Sequence, residues 1–173
     1  DNIGAIEGGE LFEMVEGMSG EHFMTMGNDS AFGMYEAMGS DLIGGMEGDA
    51  MAGMFDAMGG DLIQDLGMER SFQAFEAMGS ENFAGMGGDT MAGMFDAMGS
   101  DHIGSIGGEQ LFDMVDNMGG ADFMTMGNDS AFGMFETMGA DLVEGMGGGA
   151  MAGMFDAMGS DHIGSIGGEQ LFD

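Results

Sequence analysis

The chain has 173 residues and a formal net charge of −31, from 32 Asp and Glu set against a single basic side chain, Arg70. That balance excludes nucleic acid and anionic membrane surfaces as direct partners, because both are held through Lys and Arg. With no Cys in the chain, disulfides, thiolate metal sites and Cys nucleophiles are excluded too, and no apolar run approaches a transmembrane span.

Apolar residues make up 44% of the chain, too much for ordinary disorder, and their placement shows why. The sequence repeats every 20 residues without insertion, as units 1–20, 21–40, 41–60, 61–80, 81–100, 101–120, 121–140 and 141–160 and a partial unit 161–173. With columns numbered 1 to 20 inside a unit, column 18 is Met in all eight full units and all 14 Phe fall in columns 3, 12 and 15. Side-chain type is thus set by repeat position, as expected when each unit buries its apolar face only against its neighbours. Residues 1–173 therefore read as one continuous array. A longer order overlies it: 101–113 is repeated identically at 161–173, and 24–34 at 124–134. Calling units 1–20, 21–40 and 41–60 types A, B and C, residues 101–160 again run A, B, C. Neither end carries a polar capping unit, which leads us to expect a window of a longer repeat chain.

In chain order, each unit opens with one short helical turn over columns 1–6. A helix of about nine residues follows over columns 9–18, from the i, i+3, i+4, i+7 spacing of apolar columns 11, 14, 15 and 18. Turns at 1–6, 21–26, 41–46 and so on to 161–166 thus alternate with helices at 9–18, 29–38, 49–58 and so on to 149–158. Acids at column 9 suit the helix N-cap and the positive end of the helix dipole, and Gly at column 19 suits a left-handed C-cap, so Gly59 and Gly99 are expected at positive φ. The fold class expected is all-α, a short-helix solenoid of tandem repeats. A β-solenoid is the alternative, because the period would fit it, but Met, Ala, Glu and Leu favour helix.

Column 13 is Gly in five units, in the middle of the expected helix, where it costs about 1 kcal/mol relative to Ala. With Ala at column 17 it forms a strip on which another backbone could approach closely. Gly53, Ala57, Gly93 and Ala97 are therefore expected to pack against a neighbouring turn or a second chain.

Nothing in the pattern predicts catalysis. His22, His102 and His162 all stand in column 2 and follow the repeat, whereas a catalytic constellation breaks it at one place. The Met columns share an arc with Phe and read as core rather than as a copper site. The unit 61–80, with Gln64, Arg70, Gln73 and Ala74, reads as a diverged copy.

The acid columns carry the only candidate ligands. If units stack at about 10 Å, the chain spans about 87 Å and carries one net charge per about 2.8 Å, against about 1.7 Å for duplex DNA. Such an array calls for cations, and Ca²⁺ is the flexible oxygen-seeking choice. The expected ligands are Asp41, Asp49, Asp61, Asp89, Asp101, Asp129, Asp141 and Asp161, where turns bring carboxylates near free carbonyls. Neither an EF-hand loop nor the calcium nonapeptide repeat occurs. The function expected is that of an extracellular or cell-surface structural repeat protein, without enzymatic activity, that self-associates into a rod, filament or surface layer. The alternative is an acidic array that binds calcium or docks a basic protein partner.

Overall fold

The computed structural model describes residues 6–116 and 118–166, leaving aside the side chains of Ser40 and Asp41. Twelve helices and no strand occur among the described residues. They are α1 Gly8–Val15, α2 Gly20–Phe23, α3 Asn28–Ile43, α4 Gly48–Met58, α5 Gly60–Gln64, α6 Met68–Met78, α7 Ser80–Ala84, α8 Gly88–Ile103, α9 Gly108–Val115, α10 Gly120–Phe123, α11 Asn128–Glu144 and α12 Gly148–Ile163. The expected all-α class holds. Residues 51–58 and 91–98 are helical, which removes the β-solenoid alternative there.

The long helices begin one residue before the expected boundary, at column 8, and the residue before them is extended or at positive φ. Acids at column 9 are therefore the second helical residue and not the N-cap, and none of these helices has a side-chain cap hydrogen bond. Their carboxylates still sit in the first turn, where the helix dipole favours them. Steric fit explains the Gly at column 8: a Cβ on Gly8 would come within 2.5 Å of the Ala37 carbonyl oxygen, and one on Gly108 within 2.6 Å of that of Thr137.

Column 19 behaves as expected in φ and differently in ψ. Gly59 and Gly99 have φ of 76° and 75°, but ψ is 159° and 165°, far from the left-handed helical region. This extended, positive-φ region is open essentially to Gly alone. It lets one residue end a helix and begin the next. The Gly59 N–H closes α4 on the Phe55 carbonyl at 3.0 Å, and its own carbonyl accepts the Ile63 N–H of α5 at 3.3 Å. The same kink falls inside α3, α8, α11 and α12 at Gly39, Gly99, Gly139 and Gly159.

One contiguous core runs through the described residues. Met58, Met98 and Met138 of column 18 are 1%, 0% and 5% exposed, with Phe55 and Phe95 fully buried beside them. Aromatic rings join successive units edge to face, Tyr35 to Phe55 at 5.6 Å and Phe75 to Phe83 at 5.1 Å between centroids.

Extensive contacts join only elements within about two units of each other, such as α2 with α4, α5 with α8, α7 with α9 and α10 with α12. In this pairing the short helix that opens one unit lies across the long helix of the following unit. The crossing is a backbone-on-backbone contact: a Cβ on Gly53, Gly93 or Gly153 would overlap the Cα and carbonyl of Gly20, Gly60 or Gly120 respectively. Close backbone approach is thus the reason for mid-helix Gly at column 13, and the partner is this chain's own turn. The accessible surface of 8386 Å² is close to the roughly 8,000 Å² expected of a compact monomer of this mass. Units interleave, in place of the thin stack one helix per 10 Å assumed from sequence.

Candidate functional site

Part of the repeat's polar side chains joins units about 30 residues apart. Each long helix that ends at column 18 leaves its last carbonyl free at the Gly kink, and in four units a side chain caps it. Asn28 and Asn128 donate to the Met58 and Met158 carbonyls at 3.0 and 3.2 Å from 30 residues upstream. Asn82 donates to Met78 at 3.0 Å, and His102 Nδ1 lies 3.0 Å from the Met98 carbonyl oxygen. Since a carbonyl only accepts, the His102 Nδ1 must carry the proton.

The three histidines of column 2 thus differ in role. His22 Nδ1 accepts the Ser19 N–H at 3.2 Å, as the third helical residue of a capping box. That requires the tautomer opposite to His102. His162 Nε2 meets Asp129 Oδ1 at 2.9 Å. His102 and His162 also lie against the rings of Phe72 and Phe132, at 4.3 and 4.5 Å between centroids.

Several acids serve as caps across units. Asp56 accepts the Gly87 N–H at 2.9 Å, Asp96 accepts that of Gly127 at 2.8 Å, and Asp49 accepts that of Gly20 at 3.0 Å. Each places a carboxylate at a helix N-terminus, where its charge and its acceptor oxygens are both favourable.

Of the expected calcium ligands, Asp49, Asp61, Asp89, Asp101, Asp129, Asp141 and Asp161 are all exposed, and the side chain of Asp41 lies outside the described residues. Asp101 and Asp129 share a groove of about 630 Å³ with Asp96, lined also by Gln64, Met68 and Asn128. The other candidates do not share that groove. No group of three or more His, Asp or Glu placed to hold a metal ion occurs among the described residues.

The unit 61–80 holds what the sequence reading passed over. Arg70 and Tyr35, the chain's only Arg and only Tyr, meet. The Arg70 guanidinium carbon lies 4.8 Å from the Tyr35 ring centroid, and its Nη1 lies 3.6 Å from Glu36 Oε1. The Tyr35 hydroxyl donates to the Arg70 carbonyl at 3.4 Å. Burial pushes the Tyr35 phenol above its usual range, while the neighbouring Arg70 charge pulls the other way. The available signal was two singletons 35 residues apart, close to the offset at which units join elsewhere.

No family model, curated protein or solved structure matches this chain.

Proposed function

We propose that the chain is a structural module, a short-helix solenoid of 20-residue units that self-associates into a rod, filament or surface layer outside the cell. The observation that carries this reading is the use of its polar groups. The caps from Asn28, Asn128, Asp56 and Asp96, like the Gly20–Gly53 type of crossing, link units at offsets of 30 to 33 residues. Chemistry-bearing side chains spent on stacking suit a scaffold. The exposed acids, with one base in the chain, make the array dependent on cations, and Ca²⁺ is the ion proposed for them.

Electron microscopy with sedimentation, in 0.15 M NaCl with and without millimolar CaCl₂, tests the proposal. End-to-end or side-by-side assemblies are expected, with helicity and melting temperature rising on Ca²⁺ addition by mass action. Monodisperse monomers under all conditions, with saturable binding of a basic protein, would favour the acidic binding array instead. Stability that responds to NaCl alone would leave screening as the whole cation effect.

A further inference from the structure

Three units share a constellation that the others lack: aromatics at columns 12 and 15 followed by Glu at column 16. These are Phe32, Tyr35 and Glu36; Phe72, Phe75 and Glu76; and Phe132, Phe135 and Glu136. The column-10 residue 34 positions beyond each Glu is Arg70, Gln110 and Gln170 respectively, the last outside the described residues. In the first copy the Arg70 guanidinium lies over the Tyr35 ring and beside the Glu36 carboxylate. In the second, Gln110 stands in the place of Arg70. There Phe72, Phe75, Glu76, Ser105, Ile106 and Gln110 line a cavity of about 300 Å³.

We propose that this cavity binds a guanidinium group supplied from outside the chain. The first copy displays the ligand in place: a planar cation over an aromatic face with a carboxylate at its edge. The second keeps the carboxylate and replaces Tyr35 by Phe75, whose ring offers the same attraction to a cation. The neutral amide of Gln110 cannot neutralise Glu76, which makes no ion pair among the described residues. The only Arg of the chain is already engaged, so the cation has to come from elsewhere. Guanidinium suits the cavity better than ammonium, because it is planar, weakly hydrated, stacks on rings and meets carboxylates with paired donors. The volume is at the lower end of small-ligand pockets. Either a free guanidinium compound or an Arg side chain of a partner protein carries this chemistry. The assignment does not depend on the structural role proposed above.

The test is an NMR titration of the whole chain in 0.15 M NaCl with N-acetyl-arginine methylamide, N-acetyl-lysine methylamide and a short Arg-containing peptide. Saturable shifts at the Phe75 ring and its neighbours are expected, with the arginine probe ahead of the lysine probe. Gln110→Arg should abolish them and raise the melting temperature by about 1–4 °C, the shift expected of one exposed cation–π contact. Glu76→Gln should weaken binding about two- to five-fold. Arg70→Gln should open the first copy, where fluorescence of Tyr35, in a chain without Trp, reports the same probe. Tighter binding of the peptide than of the single residue would place the source in a protein partner, and equal binding in a free compound; both support the site. Shifts spread over all the acid columns, equal for the two probes and unchanged by Gln110→Arg or Glu76→Gln, would overturn it in favour of general charge condensation.

Discussion

The two A-type units, 1–20 and 101–120, and the C-type unit 41–60 with unit 81–100, which carries the same MAGMFDAM segment, share one period but not one backbone. In the A units the long helix stops at column 15, with α1 ending at Val15 and α9 at Val115. In the C units it reaches column 18, as α4 does at Met58. The residues differ accordingly. Column 15 is Val in A and Phe in C, and column 17 is Gly17 or Asn117 in A but Ala57 or Ala97 in C. Phe55 and Phe95 anchor a last turn that Ala favours, whereas Gly and Asn favour leaving the helix. A helix that runs to column 18 must turn in one residue, which forces Gly59 and Gly99 to positive φ. A helix that stops early leaves room for an ordinary extended residue, so Ser19 and Gly119 have φ of −86° and −85°. The one full unit without Gly at column 19 is thus a unit in which the backbone does not need it.

Column 13 separates the two types in the same way. It is Gly in the C units and Glu13 or Asp113 in the A units. The largest effect is expected there. Gly53→Leu should cost about 3 kcal/mol or more, because Leu would meet the backbone of Gly20 rather than a movable side chain. Asp113→Leu, on an exposed side chain, should change stability by no more than about 0.5 kcal/mol. Urea denaturation followed by circular dichroism compares them, and equal losses would erase the distinction. Of the two partners expected for Gly53 and Gly93, a neighbouring turn or a second chain, the contact with Gly20 and Gly60 is the first, so Leu there acts on the fold itself.

Column 19 gives the next largest difference. Gly99→Ala should destabilise by about 1–3 kcal/mol, since φ of 75° with ψ of 165° is closed to Ala. Gly119→Ala should be neutral or stabilising by up to about 1 kcal/mol, because its backbone already suits Ala and the unfolded chain loses freedom. A loss at both positions, measured as shifts in denaturation midpoint, would mean that the A units also need the kink.

The diverged unit 61–80 allows a smaller test. Column 11 is Ser71, fully buried with its hydroxyl unpartnered, where Ala31 and Ala131 fill the same column. Ser71→Ala should therefore stabilise by about 1 kcal/mol, readable in the same denaturation curves.

The smallest effect concerns Tyr35. With no Lys or Cys in the chain, Tyr35 is the one side chain expected to titrate between about pH 9.5 and 12. Its phenol is held above 10.0 by burial, so the folded state keeps the proton longer than the unfolded state. That contribution is fully present below pH 10 and is lost as pH rises through the folded value. Absorbance at 295 nm should show late ionisation, and the melting temperature should fall above pH 10. A Tyr35→Phe variant with the same alkaline decline would assign it elsewhere.

Much of this protein is legible in its sequence. Columns 11, 14, 15 and 18 forecast both the helix and its buried face, because apolar spacing along one helix is a local property. Positive φ at Gly59 and Gly99 followed from the helix ending there. What the sequence reading missed is how far apart the joined residues lie. A strict repeat presents the same side chains at every unit, so it cannot by itself tell whether column 20 meets column 13 of its own unit, the next or the one after. The irregularities held that information. Gly20, Gly60 and Gly120 are the only Gly at column 20, and each is followed 33 residues later by Gly at column 13. Phe72 and Phe132 are followed 30 residues later by His102 and His162, while Ala52 and Ala92 are followed by Asn82 and Asp122. Only the tertiary structure turned these offsets into contacts: the Gly crossings, the carbonyl caps and the meeting of Tyr35 with Arg70. Each depends on the angle at which one helix lies over another, which the side chains of both fix together and neither encodes alone.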